Sequence, residues 1–302
     1  MTAPAIEVSQ VATIGQYATA TEALRNRLLE TLLAYWAELT VYRDAQAAAF
    51  STSVAPVVIG AQQVMSSLTA NYLTNLNRQM VGTSPAINLD SSKIASGLRS
   101  NISPQEVYQR PFTQIWTDLS QGKPLSEAVA SGRRRLVDLA TSDLQLAKTT
   151  QAVRTMSNFG DIVGYRRVLV GAENCGLCVI ASTVRYRKSE LMPIHPGCNC
   201  AIAPIHGHQD PGQSINSGVL MHGIAPTAMS RGNVPVYSPK DIEDMGDLLA
   251  PVHDAIERTF GQSDVGGRLV DYRKIMTTHE HGELGPILSV SNHSFTGPGD
   301  LK

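Results

Sequence analysis

The stretch that decides the fold is Gly171–Pro204, GAENCGLCVIASTVRYRKSELMPIHPGCNCAIAP, because it gathers all four cysteines of a 302-residue chain between Cys175 and Cys200. Their spacing is C-x2-C, nineteen residues, then C-x-C. Four scattered cysteines would seldom fall so close together, so a shared role is indicated. The first pair, Cys175 and Cys178, follows a predicted strand, Tyr165–Val170, and Gly176 frees the backbone for both thiolates to converge. Thr183–Arg187 reads as a second short strand. In an extended segment alternate residues face one side, so Cys198 and Cys200 can present their sulfurs together, and Gly197 eases the approach.

A structural zinc ion takes four soft ligands at about 2.3 Å in a tetrahedron. Two cysteine pairs brought together by a β-hairpin would supply them, and the energy of binding would become energy of folding. His195 complicates the ligand set, because His195-x2-Cys198 is also ligand spacing. Coordination by Cys175, Cys178, Cys198 and Cys200 is the first expectation, and three cysteines with His195 the alternative. Two disulfides, or free thiols, also stay open. Disulfides need an oxidising compartment, and the N-terminus MTAPAIEVSQ lacks the basic start and apolar run of a secretory peptide.

Upstream of the cysteines the chain reads as helical. Leu24, Leu28, Leu32, Tyr35, Leu39 and Tyr42 recur at spacings of three and four, the stripe of an amphipathic helix. A second helix is expected from about Val57 to Met80, with Met65, Leu68, Tyr72, Leu76 and Met80 on one side, then a loop over Gly82–Asp90. The uncharged run Ala45–Asn77 carries too many Ser, Thr, Gln and Asn side chains for a membrane, so it reads as a helix meeting protein on several sides. Ser103-Pro104-Gln105-Glu106 is a capping box with proline at the first helical position. Gly122-Lys123-Pro124 ends that helix, and Ser126 is the expected cap of another that fades by Phe159-Gly160. Arg133-Arg134-Arg135 points around that helix in three directions and reads as a solvated turn.

Downstream, His206–Ser238 is rich in Gly, Ser and Pro and reads as a segment lying across a partner or remaining mobile. A helix capped at Ser238-Pro239 and a strand at Ile287–Val290 follow. His206-Gly207-His208 reads as a surface loop. His279-Glu280-His281 lacks the four-residue spacing of a helical metalloprotease site. Lys and Arg number 25 against 26 Asp and Glu, a balance unlike that of a nucleic-acid coat. Charged residues make up 17%, against about 25% in an ordinary soluble domain. The sign of the charge turns negative near residue 200.

The fold class expected is α+β, with a mainly helical N-terminal half, a small zinc-stapled β-hairpin module and an irregular C-terminal extension. The expected organisation is a helical hairpin or arm over 1–101, a domain over 102–205 with its metal module at 165–205, and the extension over 206–302.

The C-x2-C pair and Pro193-Ile194-His195-Pro196-Gly197-Cys198-Asn199-Cys200 together resemble the MuF-like phage head morphogenesis domain. Its hallmark is CxxC followed after some twenty residues by PxHPxCxC, usually with Arg between the last two cysteines. Asn199 stands at that place here. His279–Leu288 also looks like the tail of minor capsid proteins from actinobacterial phages. The resemblance implies a non-enzymatic virion component of a tailed-phage head, portal-proximal after assembly in the host cytoplasm. It implies contact with the portal protein and with the major capsid protein or scaffold, weak contact with packaged DNA and a role in DNA packaging or ejection. No membrane and no small-molecule substrate are expected. Two other classes stay open: a treble-clef nuclease using His195, and a zinc-ribbon adaptor that binds DNA.

Overall fold

The computed structural model describes residues 8–85, 98–99, 102–160, 162–170, 178, 181–182, 185–187, 191, 198, 200–207, 209–212, 216, 228–229, 235–236, 276–281 and 285–290. Among these the protein is mostly helical, with a small three-stranded antiparallel sheet, an α+β architecture. Four helices run α1 Val8–Ala37, α2 Asp44–Val81, α3 Pro104–Ser120 and α4 Leu125–Ser157. The sheet contains β1 Gly164–Val168, β2 Arg185–Tyr186 and β3 Ala201–Ile205 in the order β2-β1-β3.

The helices pack around one apolar cluster running from Leu28 on α1 to Ala147 on α4, with residues from either side of position 101. Aromatic side chains are only 5% of the chain, yet several meet in this cluster. Trp36, Phe50 and Phe112 lie with ring centroids 5.4–5.6 Å apart, two of the pairs edge to face, the geometry that ring quadrupoles favour. Trp116 donates its indole N–H to the Tyr42 carbonyl at 2.8 Å, fixing the end of α3 against the α1–α2 connection.

The helix limits depart from expectation where tertiary packing outweighs local pattern. α1 stops at Ala37, five residues short of Tyr42, and its buried line is Leu28, Leu32 and Trp36. Tyr35, expected on that stripe, is exposed, because a stride of four carries the inward line to Trp36. α2 starts at Asp44 rather than near Val57 and passes through Pro56. Val54, Ala55 and Val58 are fully buried around that proline, and their packing offsets its missing hydrogen bond.

By length and composition α2 could cross a membrane, but here it packs against α1, α3 and α4. Its buried Ser66 and Thr69 hydroxyls donate to the carbonyls of Gln62 and Met65 one turn back, which explains how they are accommodated inside.

α3 begins with the expected capping box: Ser103 Oγ accepts from the Glu106 N–H, and the Ser103 N–H donates to the Glu106 carboxylate, both at 3.2 Å. The expected cap at Ser126 is not formed. Pro124, with extended backbone, precedes the first residue of α4, and no side chain caps it. α3 and α4 approach closely at Gly132, where a Cβ would stand 2.8 Å from the Pro111 carbonyl oxygen. Arg133 and Arg134 are exposed, and Arg134 donates to Ser131, in keeping with a solvated turn.

The expected hairpin is present in part. β1 pairs antiparallel with β2, Tyr165 opposite Tyr186, but its longer partner is β3, with Gly164 opposite Ile205 and Val168 opposite Ala201. The expected hairpin is thus the β2-β1 edge of a three-stranded sheet. All five residues of β3 are buried, and Pro204 is tolerated because β3 is an edge strand.

Residues just beyond 205 fold back on this sheet. Asn216 Oδ1 accepts from the Leu169 N–H, and its Nδ2 donates to the carbonyls of Arg167 and Ser182. His206 is buried and bridged through its backbone to Gln209, so it does not lie on a surface loop as expected; Gly207 between them takes a positive φ. Farther on, β4 Ala228–Met229 pairs with β5 Pro235–Val236, and β6 Met276–His281 with β7 Gly285–Val290. β7 includes the expected strand at Ile287–Val290, and His279-Glu280-His281 lies in the strand opposite. The expected helix after Ser238-Pro239, most of the stretch to Ser238 and the Gly297-Pro298-Gly299 end lie outside the described residues.

Candidate metal centre

Three of the four cysteines converge. The Sγ atoms of Cys178 and Cys198 are 3.4 Å apart, those of Cys198 and Cys200 are 3.1 Å apart, and all three lie within 4.8 Å of one another. None forms a disulfide, whose sulfurs would be about 2.05 Å apart. A tetrahedron with 2.3 Å metal–sulfur bonds has an edge of about 3.8 Å, so small adjustments would bring all three sulfurs to one ion. Cys175 and His195, the candidates for a further ligand, lie outside the described residues.

The elements around the cluster explain the convergence. Cys200 directly precedes β3, whose first residue pairs with Val168 at the end of β1. Cys178 sits where the chain returns from β1 toward β2. The β3 side is held to the bundle. Tyr72 on α2 donates its hydroxyl to the Ile202 carbonyl at 2.8 Å, and its ring stacks on Tyr17 of α1 at 4.0 Å. Beneath β3, Tyr165, Ile202 and Ala203 join Leu73, Leu76, Ala152 and Met156 in a second apolar cluster.

The thiols are buried, at 5% exposure or less, and two cations are buried beside them. Lys148 of α4, 5% exposed, donates to the Cys200 carbonyl at 2.6 Å. Arg167 of β1, 2% exposed, reaches the Cys200 sulfur at 3.6 Å and lies 5.5 Å above the Tyr186 ring. Hydrogen bonds from the Cys178 and Cys198 thiols, and then the Arg167 and Lys148 charges, hold the Cys200 thiol well below the usual thiol range. Burial pushes the Tyr186 hydroxyl up to about 12, against the pull of Arg167. Charged side chains are almost never fully buried unless paired, so two cations here favour negative charge on sulfur, the state in which cysteine binds metal.

A second charged group braces the module. The Asp210 carboxylate accepts three contacts of 2.9–3.0 Å from Arg166 and one of 3.0 Å from Arg185. Arg166 also donates to the Ser182 carbonyl, tying β1 to the segment between Cys178 and β2. Sequence reasoning missed Lys148, Arg167 and Asp210. A lysine amid Leu144, Ala147 and Ala152, and an Arg-Arg pair running into Val168-Leu169-Val170, were the available signals.

No protein-family model matches the sequence, and neither a curated protein nor a solved structure is significantly similar to it. The site is therefore defined by its own donors: three buried, mutually close cysteines that could hold a metal ion, flanked by two buried cations.

Proposed function

We propose that the chain is a structural, non-enzymatic minor capsid protein of a tailed-phage head, built on a zinc-stapled module. In this reading Cys175, Cys178, Cys198 and Cys200 hold a structural zinc ion, with His195 as the alternative fourth ligand. The observation that carries the metal half is the convergence of Cys178, Cys198 and Cys200 across twenty-two residues of sequence. The virion half is supported by the resemblance of Pro193–Cys200, with its preceding C-x2-C, to the MuF-like motif. A closed set of protein ligands leaves no position for a reacting water, which favours a structural ion over a catalytic one. The partners proposed are the portal protein and the major capsid protein or scaffold, with weak contact to packaged DNA.

The test is quantitative mass spectrometry of purified heads from the phage that encodes the chain. The chain should be present in few copies, well below the major capsid protein, and should remain with the portal when heads are dissociated. Its absence from assembled particles would overturn the virion assignment. A DNA-cleavage assay on the purified protein should show no activity, and metal-dependent cleavage abolished by His195→Ala would replace the structural reading with a nuclease.

A further inference from the structure

α2 carries no Asp, Glu, Lys or Arg between Asp44 and Arg78. The part of α1 beside its second half, Val8–Thr21, carries none either, and Gln79 of α2 donates to Thr13 across that contact. One side of α2 is accounted for, because Val54, Met65, Leu73 and Leu76 are buried within the fold. The other side is not. Ser53, Pro56, Val64 and Asn71 are exposed, Val64 at 48%, and Gly60 and Ser67 between them are half-buried. These residues follow one another at spacings of three and four, so they form one outward line about 27 Å long. A helix face left to water ordinarily carries charged side chains.

Gly60 points the same way. Glycine inside a helix costs stability relative to alanine. A Cβ built at Gly60 meets nothing within 4 Å, so no contact within the described chain requires its absence. It stands near the middle of the charge-free run, one turn from Val64, where its bare backbone allows a second helix to come close.

Charge decides the occupant. DNA phosphates call for Lys or Arg, and the line has neither before Arg78. Lipid hydrocarbon would strand the Ser53 and Ser67 hydroxyls and the Asn71 amide. A protein surface that covers this face without burying an unpaired charge is itself free of charge over the same length. Among the described helices, the exposed sides of α3, α4 and the second half of α1 carry Glu106, Glu127, Arg133, Arg134 and Glu30. The matching surface is α2 itself.

We infer that the charge-free face of α2 is a docking surface for a second copy of this chain, the two copies meeting through the same residues about a two-fold axis near Gly60 and Val64. No charge then opposes a like charge across the seam, and Val64 of each copy is withdrawn from water. The inference goes beyond the virion reading and does not depend on the metal site.

The experiment is sedimentation equilibrium of the full chain, fully reduced, over the micromolar range, with Val64→Glu and Gly60→Gln beside the wild type. The wild type should pass from monomer to dimer as concentration rises, and its Tm should rise with it. Val64→Glu places two carboxylates in the seam and should weaken association at least about 100-fold. Gly60→Gln adds bulk without charge and should also weaken association. At dilutions where the wild type is monomeric, Gly60→Gln should melt no lower than wild type, because its new side chain enters open space. A wild type that stays monomeric throughout, or a dimer indifferent to both substitutions, would overturn the inference. Wild-type co-sedimentation with phosphatidylcholine vesicles, lost in Val64→Glu, would overturn it in favour of a lipid occupant.

Discussion

The Asp210 carboxylate is where loss of one charge should cost most. Its side chain is 4% exposed, as buried as the 7% of its main partner Arg166, while Arg185 on its other side is 56% exposed. Asp210→Asn keeps the shape but removes the charge, leaving the Arg166 guanidinium buried with only the Ser182 carbonyl and a neutral amide to accept from it. Breaking a buried pair in this way costs about 3–5 kcal/mol. Arg185→Met should cost no more than about 1 kcal/mol, because an exposed partner is already well solvated.

Bundle and module need not unfold together, so a local readout is required. Hydrogen–deuterium exchange of the β1 and β3 amides reports opening of the sheet itself. At about 1.4 kcal/mol per tenfold change, Asp210→Asn should speed that exchange by roughly two to three and a half orders of magnitude and Arg185→Met by less than about tenfold. Exchange in Asp210→Asn within about tenfold of wild type, or equal damage from Arg185→Met, would refute the reasoning.

Three other perturbations probe the bundle and its junction with the sheet. Gly132→Ala places a methyl 2.8 Å from the Pro111 carbonyl and Ile115 Cγ1; overpacking of about 1–3 kcal/mol should outweigh the gain of about 1 kcal/mol from replacing a helical glycine, so a rise in Tm would contradict the close approach. Tyr72→Phe keeps the stack on Tyr17 but removes the 2.8 Å bond to the Ile202 carbonyl; chemical denaturation should show a loss of about 1 kcal/mol, and no loss would mean that this bond does not fasten the sheet. Asp118 is held below its ordinary 3.8, first by its hydrogen bond with Lys123 and then by Ser131. A depressed carboxylate stabilises the fold above its unfolded-state value and loses that contribution as pH falls through the folded-state value. Tm should therefore drop on acidification below 3.8 more steeply in wild type than in Asp118→Asn, and identical pH profiles would remove Asp118 from the account.

What was legible beforehand was local. The capping box at Ser103 and Glu106 depends on four consecutive residues, and it forms as read. The cysteine cluster was legible because its spacing within one stretch carries the chemistry, and three of its members meet. The strands at 165 and 185 followed from β-branched and aromatic runs, and they pair.

What was missed depends on contacts distant in sequence. Ala201–Ile205 is not among the expected strands; it becomes one because β1 and Tyr72 supply partners for its backbone. The end of α1 and the start of α2 are set by Trp36, Phe50 and Phe112 meeting across three helices, which no single-helix period encodes. Lys148 and Cys200 are fifty-two residues apart, and only the fold brings that cation to the thiols. His206-Gly207-His208 reads as a surface loop, but a backbone bridge to Gln209 turns His206 inward.

Stoichiometric metal analysis of freshly purified, fully reduced protein, read together with the absorption spectrum of its cobalt-substituted form, tests the central claim most directly. The account predicts one tightly held ion per chain, sulfur-to-cobalt charge-transfer bands, and loss of both in Cys178→Ser, Cys198→Ser or Cys200→Ser. A chain that carries no ion, with freely titrating thiols and a stability indifferent to chelator, would contradict it.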